Sequence, residues 1–183
     1  MTDYTQIILL YNSQNLSALP EDISRYTQLT DLICNNNKIK TLNNLPLRLE
    51  VLYCQDNQLT ELDNLPPTLI ELNCSCNFIT QLDNLPIALE SLYCSSNNIY
   101  YLDNLPIALK MLYCENNKIT RLDNLPQRLE YLDCNNNNIS CLDNLPQTLV
   151  ILDFNINKLI HYPKNFTIKL RDTGVYSLKY ITN

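Results

Sequence analysis

The sequence predicts a solenoid of stacked repeats, each unit joining a short strand to a mostly extended, polyproline-like segment. Three observations carry that expectation. A twenty-residue period recurs through most of the 183-residue chain, each period joins a short alternating stretch to a proline-bearing one, and the composition is skewed to match. Leucine supplies 35 residues and asparagine 27, whereas glycine occurs once, histidine once and tryptophan not at all. Phosphate-binding loops and dinucleotide fingerprints need several glycines, and catalysis or zinc binding by clustered histidines needs more than one, so those classes are excluded. Apolar residues still make up 45%, unlike a disordered polar chain.

The unit reads L-x-x-L-x-C-x-x-N-x-I/L-x-x-L-D-N-L-P-x-x. Counted in steps of twenty, its first position runs from Leu29 to Leu149 and its fourth from Leu32 to Leu152. The ninth runs from Asn37 to Asn157, and the eleventh from Ile39 to Leu159. A looser copy, twenty-three residues earlier, places Leu9, Tyr11, Gln14, Leu16 and Leu19 in the same slots. The L-x-C step alternates inward and outward as a strand does, and a lone unit cannot bury its leucines without stacked neighbours. Ninth-position asparagines are expected to stack into a ladder whose amides satisfy backbone groups where the chain leaves the sheet. On this reading residues 1–162 form an array of about eight repeats, the first degenerate, and residues 163–183 form a C-terminal cap.

These residues resemble the leucine-rich repeat pattern. The resemblance implies an α/β-type solenoid, shaped like a horseshoe, in which every unit gives one short strand to a concave parallel β-sheet and the extended segments lie on the convex side. The short unit and its L-P-x-x-L linkage are similar to the bacterial-effector class of the YopM and IpaH type. The D-N-L-P run beside C-x-x-N is closer still to leucine-rich repeat proteins of giant amoebal viruses. IpaH-type ligases carry a large catalytic domain after their repeats. Only about two dozen residues follow the array here, so that activity is not carried over.

The remaining elements follow in chain order. Met1 to Gln6 is too short for a substantial cap, so the N-terminal edge is either thinly covered or paired with another chain. Pro20-Glu21-Asp22-Ile23-Ser24-Arg25-Tyr26, where extra residues make room, carries a proline and two acids and reads as one short helix. In later units, L-D-N-L-P-x-x is too short for a helix, and proline pushes its predecessor toward extended geometry. After the array, Phe166 to Arg171 and Val175 to Ile181 flank Asp172-Thr173-Gly174. This is the pattern of a β-hairpin with a glycine-containing loop, placed to cover the last repeat.

Four groups of residues are candidate sites. Cys34, Cys54, Cys74, Cys94, Cys114 and Cys134 share the sixth position, continued by Phe154. Strands about 4.8 Å apart would stack these thiols inside the core without the tetrahedral convergence zinc requires, so no metal site is expected. Cys76 and Cys141 stand outside the column and are the thiols expected to be exposed. Asp63, Asp83, Asp103, Asp123 and Asp143 form another column. Either cations line it or the carboxylates bond to the backbone at a turn, and the habits of aspartate favour the turn. On the concave side the third position reads Asp31, Val51, Glu71, Ser91, Met111, Tyr131, Ile151. The fifth reads Ile33, Tyr53, Asn73, Tyr93, Tyr113, Asp133, Asp153. Cross-strand packing accounts for some of these side chains. So many amphipathic rings beside carboxylates also suit protein recognition, and Tyr53, Tyr93, Met111, Tyr113, Tyr131, Asp133 and Asp153 are the candidate partner-binding residues.

Charge sets the class of partner. Thirteen basic and nineteen acidic residues leave a net charge of −6. The body is acidic, and residues 158–183 hold five bases against one acid, a tail that suits either anion binding or, as the favoured reading, a polar cap that happens to be basic. An acidic body repels phosphate backbones and anionic headgroups, so neither nucleic acid nor membrane is an expected partner. Met1 to Gln14 lacks the marks of a signal peptide, and no apolar run approaches the ~18 residues of a membrane span. The expected compartment is the cytoplasm, or the host cytosol for a viral chain. The expected function is a non-enzymatic protein-interaction module without cofactors, binding a partner with a basic rim on its concave face. The alternative is a self-associating or structural component, of a virus particle for instance, that uses the open N-terminal edge. His161, the single histidine, has no evident catalytic partner in the sequence.

Overall fold

The computed structural model describes residues 3–143, 145–154 and 157–160, and the backbone of two further strands at 166–170 and 176–180. Eight three-residue strands stack in chain order: β1 (Ile8–Leu10), β2 (Asp31–Ile33), β3 (Val51–Tyr53), β4 (Glu71–Asn73), β5 (Ser91–Tyr93), β6 (Met111–Tyr113), β7 (Tyr131–Asp133) and β8 (Ile151–Asp153). Each pairs in parallel with the next, without slippage, so the middle residues from Leu9 to Leu152 form one column. The predicted hairpin is present as β9 (Phe166–Leu170) and β10 (Tyr176–Tyr180). β10 pairs antiparallel with β8, Leu178 opposite Leu152, and β9 lies outermost. The turn expected at Asp172-Thr173-Gly174 and the lone His161 lie outside the described residues.

The register follows from burial. Leucines at the first and fourth positions, the cysteines at the sixth and the Ile or Leu at the eleventh are fully buried in the central repeats, so a one-residue slip would turn this whole set outward. The asparagine ladder then holds the chain where it leaves each strand. Asn97 Nδ2 donates to the carbonyls of Cys74 (3.0 Å), Cys94 (3.1 Å) and Ser95 (3.2 Å), and its Oδ1 accepts from the Ile79 amide at 2.9 Å. Asn57, Asn77, Asn117 and Asn137 repeat the arrangement. One side chain therefore ties two successive coils together.

Two departures from the sequence reading are local. The convex segments are not simply extended, because each proline opens a β-turn closed by the amide of the next first-position leucine. Leu89 reaches the Pro86 carbonyl at 3.0 Å, for example. The chain before the proline turns through asparagine in the left-handed region, with φ near 55° at Asn64, Asn84 and Asn104. The helix expected at Pro20 to Tyr26 is reduced to a single 3-10 turn, Ile23–Arg25. Ile23 and Tyr26 must both reach the core within that short stretch, and the Asp22 carboxylate accepts a 2.6 Å bond from Tyr4 Oη instead of capping the turn. Tyr4 also packs edge-on against Tyr26 at 5.0 Å with the Arg25 guanidinium 4.3 Å above its ring. The N-terminal segment thus supplies an aromatic clasp over the first coil, more cover than its length suggested.

Candidate functional site

Strand alternation puts the third and fifth positions on the concave face, and most of their side chains are half-buried there. Parallel register stacks Tyr93 beside Tyr113, with ring centroids 4.7 Å apart and planes 15° from parallel. The next ring is not the register partner, Asp133, but Tyr131 from the third position, 4.5 Å from Tyr113 and tilted by 26°. The three rings make a diagonal stair across β5, β6 and β7. Met111 lies in register between Ser91 and Tyr131.

Carboxylates frame the rings. Tyr53 stands apart from the stair and donates its hydroxyl to Glu71 Oε1 at 2.5 Å. That bond, then burial, raises its pKa to about 12. Burial and then Glu71 raise Tyr93. Tyr131 is raised by burial first and then by the Asp153 and Asp133 charges, and its hydroxyl reaches Asp153 Oδ2 at 3.3 Å. These phenols stay neutral donors at physiological pH. The two concave columns from β2 to β8 carry Asp31, Glu71, Asp133 and Asp153 and no lysine or arginine. All the bases before residue 158 occupy other positions of the unit.

The structure brings together Tyr93, Met111, Tyr113 and Tyr131, and leaves Tyr53 two strands away. Asp153 is a correction. It is only 1% exposed, flanked by β7 on one side and by β10 on the other, where it faces Ser177. The hairpin that completes the sheet takes Asp153 away from any partner. Its carboxylate accepts from the Tyr131 hydroxyl at 3.3 Å.

The other candidate groups resolve separately. The six column cysteines are fully buried, and burial pushes their thiols up, to about 12 at Cys34 and Cys74. Cys76 and Cys141 are exposed. The aspartate column does not make the expected turn bonds to backbone. Asp63 and Asp83 are exposed without a hydrogen bond among the described residues, Arg121 lies 4.0 Å from Asp103 and 3.3 Å from Asp123, and Asp143 accepts from Cys141 Sγ at 2.7 Å. The following asparagine, by entering the left-handed region, does the turning. Among the described residues no three or more His, Cys, Asp or Glu converge as metal ligands.

Sequence reasoning missed two exposed apolar features. Leu47, Ile87 and Ile107 form an outer stripe at the nineteenth position, and Ile7, Ile8 and Leu10 line the first strand. The signal was available, since the nineteenth position is glutamine in later repeats.

No family model matches the chain, and no curated protein does either. Solved structures do. YopM from Yersinia enterocolitica WA-314 superposes with a TM-score of 0.66 at 36% identity, covering 81% of this chain. A Shigella effector leucine-rich repeat domain gives 0.66 at 30% identity over 87% of this chain. The chain is a leucine-rich repeat protein. Its short repeats fit the YopM class, and YopM from Yersinia pestis aligns as well, with a TM-score of 0.55 at 25% identity over 82% of this chain. The leucine-rich repeat chain spans 37%, 63% and 61% of the lengths of these three proteins. Two of the three are effector proteins.

Proposed function

We propose that this leucine-rich repeat protein is a non-enzymatic binding module whose concave face holds a protein partner with an apolar centre and a basic rim. The observation that carries the reading is the stair of Tyr93, Tyr113 and Tyr131 on a face that bears acids and no bases. Rigid, amphipathic rings are the side chains that dominate interface energies, and the surrounding carboxylates favour lysine and arginine on the partner. The effector character of the structural neighbours supports a binding role. Eight free thiols, six of them in the core, suit a reducing compartment, so the cytoplasm is the proposed location. A self-associating role would use a different surface, the β1 edge.

The test is affinity capture from lysate of the native cell, with the wild-type chain against Tyr93→Ala, Tyr113→Ala and the double variant. Each single truncation should weaken binding by about 1–3 kcal/mol, roughly five- to 150-fold, without moving the melting temperature by more than a few degrees. Raising salt should slow association. Gln127→Ala, on the convex side, should change nothing. A folded double variant that still recovers every partner rules out the concave face.

A further inference from the structure

We propose that two copies of this chain join edge to edge through β1, antiparallel and about a two-fold axis, so that their concave sheets become one. β1 is the outer strand at the N-terminal end of the sheet. Its backbone alternates. The Ile7 carbonyl and the Tyr11 amide bond to the second coil, and Leu9 sits in register with Leu32. By that alternation the amides and carbonyls of Ile8 and Leu10 point away from β2. Among the described residues one contact reaches them, a long 3.4 Å bond from Gln14 Nε2 to the Leu10 carbonyl.

The side chains match the backbone. Ile7, Ile8 and Leu10 are 57%, 54% and 60% exposed, while Leu9 between them is buried. Proteins ordinarily blunt such an edge with lysine, proline or a bulge. The stretch Thr5 to Tyr11 contains no charge and no proline, whereas β9 at the opposite end carries Lys169. The aromatic clasp of Tyr4 on Tyr26 covers the first coil and leaves these strand groups open.

A second copy is the occupant because the edge is its own complement. Turned about an axis through Leu9, Ile8 of one copy stands opposite Leu10 of the other, and Leu10 opposite Ile8. Each of those pairs exchanges two N–H···O bonds, as in the narrow pairs of an antiparallel ladder. The same operation sets the exposed side chains of Ile8 and Leu10 against each other on the concave side, continuous with the half-buried Ile33. A contact of this kind is isologous and closes at two chains. Head-to-tail pairing of β1 with β9 would instead propagate into filaments.

Sedimentation velocity of the 21.3-kDa chain from about 1 to about 200 µM should show a monomer–dimer equilibrium and nothing larger. Ile8→Lys and Leu10→Lys should each weaken dimerisation at least tenfold with unchanged circular dichroism, since both sites are exposed, while Leu10→Val should retain it. The register is tested by cross-linking in a Cys76→Ser, Cys141→Ser background. Ile8→Cys mixed with Leu10→Cys should form a disulfide-linked heterodimer under mild oxidation, and neither alone should, because narrow pairs bring Cα atoms to about 5.5 Å. A monomer throughout, growth beyond the dimer, dimers indifferent to both lysine variants, or cross-linking of either cysteine variant alone would each overturn the proposal. The Tyr93→Ala, Tyr113→Ala double variant should dimerise like wild type, which separates this edge from the concave-face reading.

Discussion

Mild alkali should unfold this protein, because six thiols must stay protonated inside it. Cys34, Cys54, Cys74, Cys94, Cys114 and Cys134 are fully buried, and burial is the leading cause that raises every one. Several protons are also engaged, since Cys54 Sγ donates to the Asn73 carbonyl at 3.3 Å and Cys94 Sγ to that of Tyr113 at 3.4 Å. In the unfolded chain a thiol ionises near pH ~8.5. Folded pKa values above that mean stability is complete below about pH 7.5, has lost about 2 kcal/mol by pH ~8.5, and keeps falling as the pH climbs toward the folded values near 12. In that window the unfolded chain releases protons that the folded chain keeps. Each thiol removes about 1.4 kcal/mol by pH ~9.5, and six together about 8 kcal/mol. Whole domains are stable by about 5–15 kcal/mol, so the alkaline midpoint should fall between about pH 9 and 10.

The assay is urea unfolding followed by circular dichroism between about pH 7 and 9.5, with thiol labelling as a second readout. Between about pH 8.5 and 9.5 stability should drop by about 6 kcal/mol, and by about 4 kcal/mol in the Cys94→Ala, Cys114→Ala double variant. Native protein should label at Cys76 and Cys141 alone, and the unfolded chain at all eight cysteines. A drop below about 2 kcal/mol over that unit, or rapid native labelling of Cys94 or Cys114, would show that the thiol column is not protonated and buried as described.

Two further outcomes concern the frame. Asn97→Ala should cost about 1–3 kcal/mol by stranding carbonyls of two coils and the Ile79 amide, and Asn157→Ala, half-buried near the end of the array, should cost less; comparing their thermal melts decides it. Asn84, at φ 55°, should tolerate Gly within a few tenths of a kcal/mol but lose about 1–2 kcal/mol as Val, measured by urea unfolding.

Most of the fold was legible because a solenoid repeats its own evidence. One unit with Leu, Leu, Cys, Asn and Ile at fixed spacings is ambiguous, but the same slots filled from Leu29 to Leu159 leave only a stacked sheet with an asparagine ladder. The hairpin was legible from the alternation in Phe166 to Leu170. What stayed hidden was backbone handedness. With a single glycine, the chain needs another residue for two left-handed turns per unit. It uses Asn at the sixteenth position, and Asn36, Asp56, Cys76, Ser96, Asn116 and Asn136 at the eighth. The abundance of asparagine therefore has two causes, the ladder and these turns, and only the ladder was read. The short helix is present only as a 3-10 turn, and the Asp22 side chain at its start is engaged by Tyr4, a contact eighteen residues away in sequence that local signals do not show.

The site was legible by column but not by contact. Column membership placed the tyrosines on one face; it could not show that Tyr113 leaves its register partner for Tyr131, or that β10 buries Asp153. Those contacts sharpen the functional argument. Asp133 stands directly beside Asp153 in the register, and like charges opposite one another destabilise a sheet. Packing alone therefore gives no reason to fill these slots with acids while every base of the array occupies other slots. Offset-stacked rings do help the fold, by about 0.5–1.5 kcal/mol a pair, so the tyrosines by themselves would be a weak argument. The carboxylates are the stronger one, because they work against the sheet that carries them. On the proposed reading a cationic partner meets the accessible Asp133, while the buried Asp153 stays behind as an acceptor for Tyr131, where the aromatic and acidic features join.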